Sequence, residues 1–349
     1  DLFKRSGVKY IVPVAEHHDG FAMYDSQETR WNATNIGPKK DLITPLAEEI
    51  KKAGLKFGVS NHFWENNWFY GKREGSDVLN TIYYDLYNTP YPGEDKPLYG
   101  NTENKPNNIH KQNWFDRSME LVEKFDPDLI YYDWQFAPNS NAVQFLSYYY
   151  NRALESKPDG VVVNSKFNFP DNSVVLDVER GQLSGIREYP WQTDTSISDA
   201  SWGYIENDTY KETVDLLGAL VDIVSKNGNF LLNVGPDRRG EIPESARKVF
   251  LEIGKWLDTN GEGIYSTRPW TEFGEGPTTV SEGNFSDNIK FNEKDFRYVI
   301  DKEGKVLYAT GLKWPKGSSI TLSKLCSASV NLDTLTEISL LGSNEAISY

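Results

Sequence analysis

Two carboxylates stand where apolar runs end. Asp133 closes Leu129-Ile130-Tyr131-Tyr132, and Glu179 closes the mostly apolar run 174–178. An ionised carboxylate in such a place is costly unless it is paired or does chemistry. The plain alternatives are a cap on the next helix or a pair with Lys or Arg, and Glu179 is itself followed by Arg180. Two such groups can cleave a glycosidic bond. One attacks the anomeric carbon; the other protonates the departing oxygen and then deprotonates water. Three of the four histidines, His17, His18 and His62, fall in two further corners of the chain. A neutral imidazole is a good partner for sugar hydroxyls. Metal ligation and a purely structural role remain open for all three. As neighbours at a strand end, His17 and His18 should not both point the same way.

Such groups need elements that bring them together. Short β-rich runs are expected over 10–15, 56–60, 129–133, 161–164, 174–178 and 230–234, with helical patterns over 42–53, 114–125, 142–156, 210–226 and 245–260 between and after them. Asp41 suits a helix start and Gly54 a stop. Near-continuous apolar strands separated by helices imply a parallel sheet covered on both faces. Six of them over about 265 residues suit an α/β fold of the (β/α)8, TIM-like barrel type lacking its N-terminal strand. A doubly wound sheet is the structural rival, and no glycine-rich phosphate turn follows any strand to favour it.

In a parallel barrel the active site lies at the C-terminal strand ends. There the chain offers Glu16-His17-His18-Asp19-Gly20-Phe21, Asn61-His62-Phe63-Trp64-Glu65-Asn66, Tyr131-Tyr132-Asp133-Trp134 and Asp177-Val178-Glu179-Arg180-Gly181. After Arg268-Pro269-Trp270 helical periodicity stops and glycine, serine and threonine rise. Alternating stretches over 296–300 and 305–310 flank Asp301-Lys302-Glu303-Gly304, a hairpin signal. The expected division is a catalytic barrel over 1–268 and a β-sandwich over 269–349. A polar, proline-bearing loop over 87–108 is long enough to be functional.

A net charge of −14 repels phosphate backbones and anionic lipid, which argues against nucleic acid and membrane-surface partners. No apolar run is long enough to insert in a membrane. The one cysteine, Cys326, excludes an intramolecular disulfide and a cysteine-based zinc cluster. Ten Trp and twenty Tyr are many for this length; aromatic rings cover the C–H face of sugars, and core filling is the plain alternative for any one of them.

Six stretches resemble, in order, the α-L-fucosidases of glycoside hydrolase family 29. They are Tyr10 through Phe21 followed by Trp31-Asn32, then Gly54-Leu55-Lys56-Phe57-Gly58, then Pro127 through Asp133. Trp191-Gln192-Thr193-Asp194 with Ser201-Trp202-Gly203-Tyr204 comes next, then Asn227 through Pro236, and Asn260-Gly261-Glu262-Gly263-Ile264-Tyr265. The resemblance covers about residues 1–270. It departs in Ser60-Asn61-His62, where many members carry paired tyrosines, and in Trp134, where a glycine is frequent.

What the resemblance implies is a retaining exo-glycosidase acting on terminal α-L-fucosyl residues of oligosaccharides or polysaccharides, or on a related sugar such as an α-L-galactoside. Asp133 would be the nucleophile. Glu179 would be the acid/base, with Glu188 and position 192 as alternatives; some members carry a glutamate where this chain has Gln192, and an amide cannot exchange a proton at neutral pH. His17, His18 and His62 would bind ring hydroxyls, with Asn61 and Glu65 in the same corner. Trp31, Tyr131 and Trp202 would line the apolar edge of the sugar, and Lys166 stands near a family arginine. No cofactor or metal is required, since carboxylates carry the chemistry. No signal peptide is visible, but a periplasmic or secreted location is expected. Two rivals remain: a lectin-like binder disabled at Gln192, and a metal-dependent hydrolase built on His17, His18 and Asp133, which a chelator would inhibit.

Overall fold

A computed structural model describes residues 1–70, 77–78, 80–87, 108–134, 136–167, 169–317, 319–330, 332–345 and 347–348. The elements in chain order begin with α1 (Leu2–Arg5), β1 (Tyr10–Ile11), β2 (Val14–Glu16), α2 (Ile43–Lys52), β3 (Lys56–Asn61), α3 (Asn66–Tyr70) and α4 (Tyr84–Tyr87). Next come α5 (Asn108–Phe125), β4 (Leu129–Tyr132), α6 (Ser140–Ser156), β5 (Val162–Ser165), β6 (Val175–Glu179) and β7 (Trp191–Ser196). The chain ends with α7 (Thr213–Ser225), β8 (Gly228–Asn233), α8 (Glu244–Asn260), β9 (Thr267–Glu275), β10 (Phe296–Asp301) and β11 (Leu307–Gly311). The parallel strands and their helices fit a (β/α)8 barrel lacking a strand, and the antiparallel sheet fits a C-terminal β-sandwich. Two compact units divide the chain: residues 8–176, and residues 1–7 with 177–349.

In the unit of residues 8–176, β1 and β2 both pair in parallel with β3, and β4, β5 and the start of β6 follow. The run expected as one strand over 10–15 is two, because Pro13 has no N–H to give a ladder. Helix α2 starts under Asp41, whose carboxylate accepts the N–H groups of Ile43 at 2.9 Å and Thr44 at 2.8 Å. It stops at Gly54, left-handed at φ +77. Asn139 caps α6 in the same way, accepting from Asn141 and Ala142. The inner faces of these helices and the all-buried β4 enclose one core that includes Phe57, Trp114, Ile130, Phe136 and Phe145. The polar loop expected over 87–108 lies outside the described residues, its two end residues excepted.

In the other unit β7 pairs in parallel with β8 over six residues, and α7 and α8 pack on them through Leu216, Phe250 and Ile253. β7 is absent from the strands expected of the sequence: Trp191-Gln192-Thr193-Asp194-Thr195-Ser196 lacks apolar alternation, yet all six residues are buried. β9, β10 and β11 form the antiparallel sheet, with the expected hairpin at Asp301, whose carboxylate accepts the N–H groups of Lys305 and Val306. A fully buried Asp222 is shared between Lys226 at 2.7 Å and Arg297 at 2.5 Å, and so ties α7 to β10. Buried charges persist in proteins only when paired in this manner. Among the described residues no helix is long and apolar enough to cross a membrane.

Candidate active site

Register explains how the first cluster forms. Tyr132, the last residue of β4, lies level with Asn61 of β3 and with Ser165 of β5. The next residues along the three chains, Asp133, His62 and Lys166, are therefore neighbours. Glu16 of β2 is level with Asn61, so His17 and His18 emerge beside them. Asp133 Oδ2 lies 3.0 Å from His62 Nδ1 and 3.3 Å from His18 Nε2, and its Oδ1 lies 3.7 Å from Lys166 Nζ.

These contacts set the charge on Asp133. Burial opposes ionisation, but the hydrogen bonds of His18 and His62, with Lys166 behind them, hold its carboxyl well below the usual range. His18 responds in the opposite sense. Burial disfavours its charge, yet Asp133 and then Glu65 outweigh that and raise its pKa. Its Nδ1 carries a proton for the His62 carbonyl at 2.8 Å, and the bond to Asp133 needs a second proton on Nε2, which is the charged form that the raised pKa favours. Its Nε2 is 3.6 Å from Glu65. His62 turns its other nitrogen to Ser60 Oγ at 3.0 Å.

His17 is exposed and stacks on His62 at 4.5 Å between ring centres. The rings of His17 and His18 do not diverge as expected of strand neighbours; they stay 4.4 Å apart, edge to face. Lost hydration, and after it His62 and His18, hold the His17 pKa below its ordinary value. His17, His18 and His62 offer ligand nitrogens within 4.8 Å of one another, so a transition ion is sterically possible. It would have to displace bonds that His18 and His62 already make.

The walls are aromatic. Tyr131 lies edge-on to His62 at 5.7 Å, and Lys166 Nζ sits over the rings of Tyr131 at 5.4 Å and Trp134 at 5.8 Å. Asn61 lies in the same corner and bonds within the fold. It is buried, its amide donates to Glu16 at 3.4 Å, and its carbonyl accepts from Phe63 N–H at 3.0 Å. Both ends of that side chain are thus engaged within the fold. Trp31 packs against Tyr83 at 5.9 Å and under the Arg30 guanidinium at 4.8 Å. Sequence reasoning missed the partner of Glu16: Arg117 of α5, buried, bonds its carboxylate.

The second set of candidates lies in the other unit. Glu179 is the C-terminal residue of β6 and is buried. Arg180, left-handed at φ +42, donates its N–H to Asp194 O at 2.8 Å and lays its guanidinium over Trp202 at 4.6 Å. Gln192, the second residue of β7, donates its amide to Asp177 Oδ2 at 2.7 Å. A glutamate there would meet a carboxylate, and one of the pair would have to keep a proton. Glu188 is exposed and precedes Trp191, the first residue of β7, which puts it at the N-terminal end of that strand. Of the three acid/base candidates, Glu179 alone ends a strand. Asp177 and Asp194 are further buried carboxylates of these strands that the sequence reading passed over.

The model of the alpha-L-fucosidase family matches residues 1–262. The tissue alpha-L-fucosidase of Rattus norvegicus is 28% identical over 98% of this chain and 66% of its own length. That of Homo sapiens is 28% identical over 98% of this chain and 65% of its own. The crystal structure of Thermotoga maritima alpha-fucosidase in complex with fucose aligns with a TM-score of 0.63 at 28% identity, over 86% of this chain and 61% of that one. The chain thus spans slightly under two thirds of the length of these relatives.

Proposed function

The chain belongs to the alpha-L-fucosidase family, and from that premise we propose that it is a retaining exo-α-L-fucosidase. It would release terminal α-L-fucosyl residues from oligosaccharides or polysaccharides, in a periplasmic or secreted setting. Residues 1–268 would form the catalytic barrel and 269–349 the appended β-domain.

The observation that carries this reading is the setting of Asp133: a half-buried carboxylate 3.0 Å from His62, 3.3 Å from His18 and 3.7 Å from Lys166, neighbours that favour its ionised form. A nucleophile must be charged before it meets its substrate. Its oxygen would attack C1 of the fucosyl residue as the bond from C1 to the leaving oxygen breaks. Glu179, protonated at that moment, would give its proton to the departing oxygen. Glu179 would then take a proton from water, whose oxygen attacks C1 and displaces Asp133. Two inversions at C1 leave the configuration retained. His17, His18, Asn61, His62, Glu65 and Lys166 would bind hydroxyls, and Tyr131, Trp31 and Trp202 would meet the apolar edge and C6 methyl.

The test is covalent capture. A 2-fluoro-fucosyl donor with a good leaving group slows the second step, so a fucosyl adduct should accumulate on the peptide carrying Asp133 and be seen by mass spectrometry. An adduct on another carboxylate would reassign the nucleophile, and no turnover of any fucoside would remove the proposed activity.

Glu179→Ala separates the second role. Protonation helps most where the departing oxygen is basic. The variant should lose about 10³-fold in kcat/KM on a fucosyl disaccharide and far less, about tenfold or under, on a fucoside of an acidic phenol. Equal losses on both substrates would point to a structural role for Glu179.

A further inference from the structure

Glu179 is held through its backbone by a loop of the C-terminal β region. Its N–H donates to Asn284 Oδ1 at 2.9 Å, and its carbonyl accepts the N–H of Phe285 at 2.8 Å. The same loop is fastened around that strand end at further points. Gly283 N–H donates to Gln182 O at 3.1 Å, the Ser184 hydroxyl donates to Glu282 at 2.7 Å, and the Thr195 hydroxyl donates to Asp287 at 2.5 Å. Only glycine at 181 admits this approach, since a Cβ there would lie 2.1 Å from Gly283 O.

At the point of closest attachment the loop carries Phe285. Its backbone is left-handed at φ +58, and the residue is 64% exposed. A bulky side chain disfavours that backbone region, and an aromatic ring left in water forgoes burial. Glycine or asparagine would satisfy the turn without either cost. A residue that costs stability twice, its backbone N–H bonded to the carbonyl of a candidate acid/base, is the mark of strain kept at a working site.

We propose that Phe285 is the platform for the leaving group: the first sugar beyond the scissile bond stacks the C–H face of its pyranose ring on this side chain. The inference rests on the reading of Glu179 as acid/base. The oxygen that Glu179 protonates belongs to the leaving sugar, so that sugar must sit within reach of Glu179. Phe285 is bonded to the carbonyl of that residue, and its exposed ring is the apolar surface at hand. Stacking on a ring face accepts many pyranoses. The subsite therefore selects a sugar as the aglycone over a small or non-cyclic alcohol.

The experiment compares two substrates in the full chain: a fucosyl disaccharide, and α-L-fucosyl fluoride, whose leaving group is a single atom with nothing to stack. Phe285→Asn removes the ring while keeping a residue that tolerates the left-handed backbone. The ratio of kcat/KM for disaccharide to kcat/KM for fluoride should fall about tenfold in Phe285→Asn and recover in Phe285→Trp. A ratio that stays within about twofold in Phe285→Asn overturns the subsite, whether both activities fall together or neither changes. Recovery failing in Phe285→Trp overturns it as well. If the unmodified protein hydrolyses neither substrate, the fucosidase reading itself fails and takes the subsite with it, an outcome distinct from the others because it appears before any substitution.

Discussion

Asp133→Gly is expected to lower kcat on fucosides on the order of 10⁵-fold, equivalent to ~7 kcal/mol of lost barrier reduction. The variant should stay folded, because the side chain lies at a strand end and the β4 core beneath it is untouched. Formate or azide should restore part of the rate by occupying the vacated space and attacking C1 in place of the carboxylate. A second readout comes from the cluster itself. Burial lowers the His18 pKa and Asp133 is the chief group that raises it against that, so removing Asp133 should bring the His18 titration down, measurable by NMR. Stability should respond as well. Asp133 has a depressed folded pKa, so its stabilising contribution is present above its unfolded value and is lost as pH falls through the folded one. The variant should therefore lose stability relative to the parent near neutral pH and converge with it in strong acid. Activity within about tenfold of the parent would remove Asp133 as nucleophile.

The Asp133 cluster was legible because it follows from strand ends. Three apolar runs locate β3, β4 and β5, and parallel strand ends bring His62 and Asp133 to one place; Lys166 was reached only through the family resemblance. The parts that sequence missed are those where hydrophobic pattern is silent. β7 reads Gln192-Thr193-Asp194-Thr195-Ser196 after its Trp and is buried by polar contacts such as Gln192 with Asp177. Periodicity has nothing to act on there. The strand-end rule gives the place of Asn61 but not the groups that its side chain meets there, Glu16 and the Phe63 N–H. Arg117 was invisible for another reason. It lies 101 residues from Glu16 in sequence, on a helix whose pattern is read only from its buried face, and no local signal joins the two.

The two candidate clusters are built differently. In the unit of residues 8–176 the fold supplies a charge state: one carboxylate kept ionised by two imidazoles and an ammonium. Around Glu179 it supplies position, through backbone bonds to Asn284 and Phe285 and the left-handed turn at Arg180. A nucleophile needs its charge fixed in advance, whereas an acid/base must change charge twice in each turnover.

Arg117→Met is expected to destabilise the fold by about 3–5 kcal/mol above neutral pH. Glu16 is fully buried, and Arg117 is 3% exposed. The guanidinium bonds the Glu16 carboxylate, reaches Gly20 O at 3.3 Å and covers the Phe63 ring at 4.1 Å. Glu16 in turn holds the His62 N–H on its carbonyl at 2.9 Å and Asn61 on its carboxylate at 3.4 Å. The pair thus secures both histidine corners from below. Burial pushes the Glu16 carboxyl up to about 7 despite the neighbouring guanidinium. A carboxyl with a raised folded pKa binds its proton more tightly when folded. The stability this proton confers is complete in acid and is lost as pH rises from the unfolded value, 4.5, to about 7. Without Arg117 the folded pKa rises further, so the penalty keeps growing above neutrality while the parent has levelled off. Urea unfolding should show a deficit for Arg117→Met that grows by up to about 2 kcal/mol between about pH 5.5, where Glu16 can keep its proton, and about pH 8.5. Adding Glu16→Leu should recover much of the loss at the higher pH, since a buried apolar pair costs less than one stranded charge. A deficit independent of pH would show that Arg117 acts by filling space against Phe63, with its charge irrelevant to Glu16.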